Sequence, residues 1–341
     1  NVEAATEKII PTVGLVGMIC CSAMLYFIAG RLNDAAHSTA FLLVVYGAMF
    51  FLGICNAFFL PTASALRALL VPRHAYESAA TWGSAAWQTG TIVGPGISGF
   101  IYAWVGFENT ILVVLGMLTV VLLLLSQIKD RKVENPASGS VVEKIKEGIR
   151  FVRQTKMLLY SISLDLFSVL FGGVVAILPV FAIDILEVGE KGLGILRAAP
   201  SVGAVLTLLL LSRLSVMGQA WRNLLLGVAG FGVATLVFAL SKNFWLSVVA
   251  LFFVGAFDAI SVVIRQTILQ MLVPDEMRGR VGAVNGIFVS ASNELGAFES
   301  GLAASLLGTV PSVVFGAAAT LGIVGWVWLR TRDLTTESLR Q

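Results

Sequence analysis

The chain has 341 residues, 57% of them hydrophobic and only 13% charged, with a net charge of +3 and a mean hydropathy of +0.90. Soluble domains carry roughly 25% charged residues, so this composition places the chain in a bilayer, and a charge of +3 is too small to argue for nucleic acid. Two histidines, both in short polar breaks, and three cysteines, all in apolar runs, leave no material for a His-based catalytic centre or a zinc site. No metal or other cofactor is therefore expected, and Cys20, Cys21 and Cys55 read as small apolar packing residues.

A bilayer core of about 30 Å takes roughly 20 apolar residues in a helix, at about 1.5 Å each. On that measure ten spans are predicted, at 11–30, 39–66, 79–104, 109–128, 157–183, 192–212, 222–241, 244–269, 281–307 and 311–329. Polar punctuation separates them: Arg31 to Asp34, Pro72 to His74, Val105 to Glu108, and Pro274 to Arg280. The fold class expected is all-α, a polytopic membrane protein. If the spans alternate direction, nineteen of the 23 Lys and Arg residues fall on the side of the two termini. Cytoplasmic loops carry that excess, so both termini are expected in the cytoplasm.

The longest polar stretch divides the chain. Residues 129–140 contain Pro136 and Gly139 and read as a flexible linker. From Val141 to Arg153, apolar residues at 141, 145, 149 and 152 recur at helical spacing with charges between them. That pattern fits an amphipathic helix on the membrane surface, or a solvated helix that joins two bundles. The organisation expected is 1–128 as a four-helix bundle, 129–156 as a linker, 157–330 as a six-helix bundle and 331–341 as a tail.

An internal repeat runs at an offset of 202. Phe50-Phe51 matches Phe252-Phe253, Gly53 matches Gly255, and Leu70-Val71-Pro72 matches Leu272-Val273-Pro274. Gly94, Ser98 and Gly99 match Gly296, Ser300 and Gly301, and Asn56 stands opposite Asp258. The matched spans lie six crossings apart and run in the same sense, so the repeat is parallel, as in transporters built from two six-helix halves. The first half then has only four spans before the linker. Two helices are expected to precede residue 1, and residues 1–341 alone are expected not to transport.

Several segments carry a family resemblance. Leu164 to Gly173, Leu196 to Ala204, Arg278 to Asn285 and Ser292 to Gly296 resemble the major facilitator superfamily, in particular its bacterial enterobactin-exporter-like branch. Gly90-Thr91-Ile92-Val93-Gly94-Pro95-Gly96-Ile97-Ser98-Gly99 resembles the antiporter motif of that family's fifth helix, with Ser98 in place of one glycine. The family's Gly-, Asp- and Arg-rich loop between its second and third helices has no counterpart here. The resemblance implies a two-bundle fold of twelve helices and export of a small amphiphile, siderophore- or drug-like. It also implies proton antiport by alternating access, in a chain that acts as a monomer in a bacterial inner membrane.

Physical reasoning gives the site candidates their roles. Gly90, Gly94 and Ser98 recur every four residues, a smooth stripe against which another backbone can pack, and Pro95 permits a bend. Ionisable groups inside apolar helices are expensive and mark cavities or partners. Glu294, beside Asn293, lies near the middle of its span and leads as proton or substrate site, with Asp165, Asp258 and Glu299 as further acids. Arg265 follows Asp258 by two helical turns and is expected to pair with it. Arg197 is expected to reach Glu299, and Arg278 and Arg280 to anchor the membrane surface and the gate. Phe167, Phe171, Trp82, Trp87 and Gln88 are expected to line a cavity. No phosphate-binding loop, Ser/His pair or Cys/His site appears, which disfavours an ATP-driven permease or an enzyme. The alternatives are a non-transporting scaffold of the same fold, or a membrane subunit of another export system.

Overall fold

A computed structural model describes residues 2–29, 39–71, 76–128, 141–211 and 219–332, and among these no strand occurs. The long helices are α1 (Val2–Ala29), α2 (Thr39–Leu70), α3 (Tyr76–Gln127), α4 (Val141–Gln154) and α5 (Lys156–Phe171), followed by α6 (Gly189–Leu211), α7 (Ala220–Leu240), α8 (Phe244–Leu272), α9 (Asp275–Leu307) and α10 (Thr309–Arg330). The breaks at Arg31 to Asp34 and Pro72 to His74, the 129–140 linker and most of the 331–341 tail lie outside the described residues.

Eight of these helices are long and apolar enough to cross a membrane. The difference from ten spans has two sources. Helix α3 runs 52 residues, about 78 Å and more than twice a bilayer core. It joins the predicted spans 79–104 and 109–128 through one interruption, Gly106, at φ 78° and ψ 178°, a conformation open essentially to glycine alone. Pro95, expected to bend the chain, is passed in helical conformation. Helix α9 falls short because Asn285, Asn293, Glu294 and Glu299 dilute its apolar face. It also begins earlier than expected. Asp275 to Arg280, read as a break, form its first turns, with Pro274 as the N-cap residue.

The span predicted over 157–183 is discontinuous. Helix α5 stops at Phe171, Gly172 and Gly173 leave the helix, and the chain resumes as a 3₁₀ turn at Val174–Ala176. A helical turn at Leu178–Val180 and a π turn at Phe181–Ile185 follow. Two adjacent glycines and Pro179 give the physical reason: the glycines weaken the helix, and proline cannot donate to it. The repeat is visible in helix ends. Helix α2 ends at Leu70 and α8 at Leu272, which is the same offset of 202.

Contacts divide the chain into one unit of Asn1–Thr89 with Trp104–Ser138, and a second of Gly90–Ala103 with Gly139–Gln341. In the first, α1 packs on α2. A Cβ on Gly14 would come 3.2 Å from the Cys55 carbonyl, and one on Gly17 would come 2.5 Å from the Cys55 sulfur. Cys21 and Cys55 are buried as free thiols, consistent with packing.

The second unit has two apolar cores, one toward each end of its helices. The core at the α5 start includes Leu158 and Ile162 of α5, Trp221 and Leu225 of α7, Ile264 and Ile268 of α8, Val281 and Val284 of α9, and Val327 of α10. The other gathers Leu178 and Phe181, Leu196 of α6, Phe238 of α7, Leu251 of α8 and Val313 of α10. Trp221 Nε1 donates to Thr331 Oγ1 at 2.8 Å, tying the start of α7 to the end of α10. Asn243 caps α8 by accepting from the Leu246 amide at 3.1 Å. Helix α4 is part of this unit. Val152 is 4% exposed and belongs to the first core, with Ile145 and Phe151 packed against it. Part of the apolar face that suggested membrane binding is thus spent on α5 and α9, while Ile149 stays exposed.

Candidate functional site

The inner edge of the first core carries the only buried charges among the described residues. Asp165 on α5 and Arg265 on α8 are 8% and 7% exposed, and guanidinium Nη1 meets carboxylate Oδ1 in an ion pair. Asp165 lies nine residues into α5 and Arg265 seven from the end of α8, so both sit about 10–14 Å along their helices from the same end. That depth is inside the hydrocarbon region of a bilayer. Two charges withdrawn from water there are tolerable only as partners.

The expected partnership of Arg265 was different. Asp258 shares its helical face, but lies about 10 Å farther along α8 and is exposed. Arg265 instead reaches across to α5. A cross-helix pair puts both charged groups between two packed surfaces. A pair two turns apart on one helix would have to stretch both side chains along the outside of that helix.

Polar residues continue along α5 on both sides of the pair. Ser161 is 1% exposed, and its hydroxyl donates to the Leu158 carbonyl at 3.0 Å. Ser168, one turn beyond Asp165, is 6% exposed, and its hydroxyl has no hydrogen-bond partner. On α8 Ser261 is also buried, one turn before Arg265. This seam ends where α5 breaks.

The break is held by small residues on two other helices. A Cβ on Gly296 of α9 would come 2.8 Å from the Val169 carbonyl and 3.1 Å from Leu170 Cα, and one on Gly316 of α10 would strike the Phe171 carbonyl. A Cβ on Gly173 would come 2.9 Å from Ser300 Oγ. The last carbonyls of α5 thus lie against glycine backbone, where Cα–H groups can face them. Beside this contact is a small cavity lined by Phe171, Gly173, Val174, Ile177, Ser300, Ser312 and Val313. Its volume of ≈ 10 Å³ is about the room one water takes. Phe171 lines this water-sized cavity. Phe167 stacks on it, with centroids 6.5 Å apart, but is itself exposed, as is Trp82. The side chains of Trp87 and Gln88 lie outside the described residues.

The antiporter-like segment also packs, on a different face from the one expected. Within the second unit a Cβ on Gly90 or Gly94 would meet no neighbour, and Ser98 is exposed. The contact runs through Gly96, Gly99 and Ala103 against α6. A Cβ on Gly96 would come 2.9 Å from Ser201 Cβ, one on Gly99 2.7 Å from the Gly194 carbonyl, and one on Gly194 2.7 Å from Ala103 Cβ. Residues 90, 94 and 98 share one helical face, while 96, 99 and 103 share the opposite one, and the second is the face turned to α6.

The remaining candidates are more exposed. Glu294 and Asn293 both stand on the exposed side of α9, and the Asn293 amide donates to its own helix at the Val289 carbonyl, 2.9 Å away. Glu299 is half-buried beside Ser300, and Arg197 is exposed; the two do not pair. They project from different helices, and Arg197 emerges beside Gly99 instead. Arg280 pairs with Glu147 of α4 at 2.6 Å, and Arg278 donates to the Gln270 carbonyl at 3.4 Å. Beneath that pair Gly148 admits the Arg280 backbone, since a Cβ there would come 2.8 Å from its carbonyl. These arginines join α4 and the end of α8 to the first turns of α9.

Comparison with known proteins follows the same lines. The family described as transmembrane secretion effector matches residues 15–341. The multidrug efflux pump Tap of Mycolicibacterium fortuitum is 30% identical over 287 residues, 77% of this chain and 69% of that protein. An uncharacterised MFS-type transporter, y4rN of Sinorhizobium fredii, is 25% identical over 316 residues, 90% of this chain and 71% of that one. Among solved structures, a POT family transporter covers 97% of this chain and 82% of its own, with a TM-score of 0.65 at 13% identity. A D-xylose-proton symporter covers 99% and 90%, with a TM-score of 0.61 at 14% identity. At such identities these two speak for the fold alone. With the helical architecture and the match over nearly its whole length, the chain belongs to the transmembrane secretion effector family of the major facilitator superfamily.

Proposed function

We propose that the protein is a proton-coupled exporter of small amphiphilic molecules in a bacterial cytoplasmic membrane. It works by alternating access between bundles at 1–128 and 157–330, with both termini in the cytoplasm, as a monomer and without enzymatic activity. The Asp165–Arg265 pair carries this reading. A coupling carboxylate must exist in two states, one charged and held, the other neutral and released. An aspartate buried against an arginine meets that requirement, because protonation removes the attraction that pays for burying both groups. The multidrug efflux relative supports export, and the bacterial sources of both relatives support the location. The excess of Lys and Arg on the side of the termini supports the orientation. Glu294 and Asn293, exposed on α9, which falls short of a membrane span in apolar character, are assigned to substrate contact, with Asp258 and Glu299 as flanking acids. The segment from Gly90 to Gly99 serves as the packing face on α6 that shifts during the cycle.

The test is accumulation of a lipophilic cationic dye by everted vesicles from cells that express the native gene. Energised vesicles accumulate dye, an uncoupler abolishes it, and Asp165→Asn abolishes it while dye binding persists. Accumulation that ignores the uncoupler, or that survives intact in Asp165→Asn, defeats the proposal.

A further inference from the structure

Arg197 is an ionisable group inside a membrane span that the fold leaves without a counter-ion. It lies six residues past Lys191, where the apolar span of α6 begins, and so about 9 Å into that span. Its side chain is exposed and, among the described residues, makes no ion pair or hydrogen bond. Charged groups at such a position face a partner or a wet cavity rather than lipid.

The faces of α6 bear this out. Its exposed apolar residues, Ile195, Val202, Leu206, Leu209 and Leu210, fall within about 100° of one another round the helix, and they form the face suited to lipid. Arg197 lies about 120–180° from each of them. Its neighbours on its own side are buried, with Leu193 and Ser201 at 8% exposure and Ala204 at 7%. Two elements flank that side. A Cβ on Gly255 of α8 would strike the Pro200 carbonyl, and one on Gly96 of α3 would come 2.9 Å from Ser201 Cβ. Arg197 falls between Pro200 and Ser201 round the helix, and a Cβ on Gly99 would come 3.4 Å from Arg197 Cβ. The arginine therefore rises from the seam of α6 with α3, on the side toward α8. Ser201, one turn on along the same seam, also makes no hydrogen bond among the described residues.

No acid answers this charge. Residues 90–103 of α3 include no Asp or Glu. Asp258 of α8 is exposed, as are Asp184 and Glu187 in the turns before α6, and none of the three meets Arg197. We propose that Arg197 binds an anionic group of the exported molecule, a carboxylate or a phosphate, with the Ser201 hydroxyl as a second donor. A guanidinium presents paired N–H donors that match either oxyanion, and Cβ atoms one helical turn apart stand roughly 5–6 Å from each other. The cargo then includes amphiphiles whose apolar body carries an acidic group. This rests on the exporter reading above and narrows its substrate class. A lipid phosphate has the same chemistry, and the test separates the two sources.

The probes are a rhodamine dye with a free carboxylate and its methyl ester, which share one apolar body. Both are measured for binding to the purified full-length protein in maltoside micelles, which contain no phosphate, and for proton-driven accumulation in everted vesicles. The parent is compared with Arg197→Gln and Arg197→Lys. Arg197→Gln is expected to weaken binding of the acid, and to raise its KM, by about tenfold or more, as befits a lost charge-assisted hydrogen bond. The ester should bind and accumulate as in the parent, and Arg197→Lys should recover part of the loss for the acid. Equal loss of both dyes in Arg197→Gln overturns the site in favour of a packing role at the seam. Unchanged binding of both dyes overturns it as well. If phospholipid added to the micelles then raises the thermal stability of the parent and not of Arg197→Gln, the partner is a lipid phosphate. A parent that accumulates neither dye fails the exporter reading, while acid-selective loss of binding in micelles still upholds the site.

Discussion

Replacing Asp165 by Leu leaves the Arg265 guanidinium buried at 7% exposure with no carboxylate. Stranding a buried charge costs about 3–5 kcal/mol, so Asp165→Leu should lose that much, and Arg265→Met, which strands Asp165, a similar amount. The double variant removes both desolvation penalties and fills the space with apolar side chains of comparable size. It should therefore be more stable than either single variant and within roughly 1–2 kcal/mol of the parent. Reversible denaturant unfolding in mixed micelles measures this, with the fluorescence of Trp221, 1% exposed in the adjoining core, as reporter. The exposed pair Arg280–Glu147, at 39% and 48% side-chain exposure, is the internal control. Its single variants should cost no more than about 1 kcal/mol. If the Asp165 and Arg265 single variants also fall within about 1 kcal/mol, the pair is solvated and the reasoning fails. It fails equally if the double variant loses the sum of the two single losses.

Three further outcomes follow from the packing. Gly296→Ala should destabilise by about 1–3 kcal/mol through overpacking on the Val169 carbonyl and Leu170, whereas Gly301→Ala, with nothing within 4 Å, should be neutral or gain up to about 1 kcal/mol in helix propensity; both are read from the same unfolding curves. Gly99→Leu should impair dye accumulation and loosen the packing on α6, while Gly94→Leu, on the face turned from α6, should not disturb that contact; amide exchange along α6 reports it. Asn243→Ala should lose about 1 kcal/mol with the α8 cap, seen as faster amide exchange in the first turn of α8.

The first turns of α9 and the docking of α4 show where local pattern gives out. Asp275 to Arg280 are polar and follow a proline, so by composition they resemble a loop. In the fold Pro274 starts a helix, and the Arg280 backbone is met by Gly148. Helix α4 was legible as a helix from its apolar spacing, but that spacing describes one oily face and says nothing of what covers it. Here α5 and α9 cover Ile145 and Val152 and leave Ile149 exposed.

By itself the sequence determined the helices and their order, because a bilayer core demands about 20 apolar residues for each crossing and charged or glycine-proline breaks mark where crossings stop. It also carried the 202-residue offset, at which the matched Leu70 and Leu272 both end helices. It named Asp165, Arg265 and the Gly90 to Gly99 segment as unusual in an apolar setting. Tertiary structure alone decided the partners. Periodicity along one helix offered Asp258 to Arg265, and which aspartate it meets depends on which helix packs beside α8. The same holds for Gly96 and Gly99 over Gly90 and Gly94, since they lie on nearly opposite faces of one helix and only a neighbour selects between those faces. The break in α5 had its signal in Gly172, Gly173 and Pro179. What turns that weakness into a break is the backbone of Gly296 and Gly316 pressed against the last turn of α5, and no local property of residues 157–183 contains that.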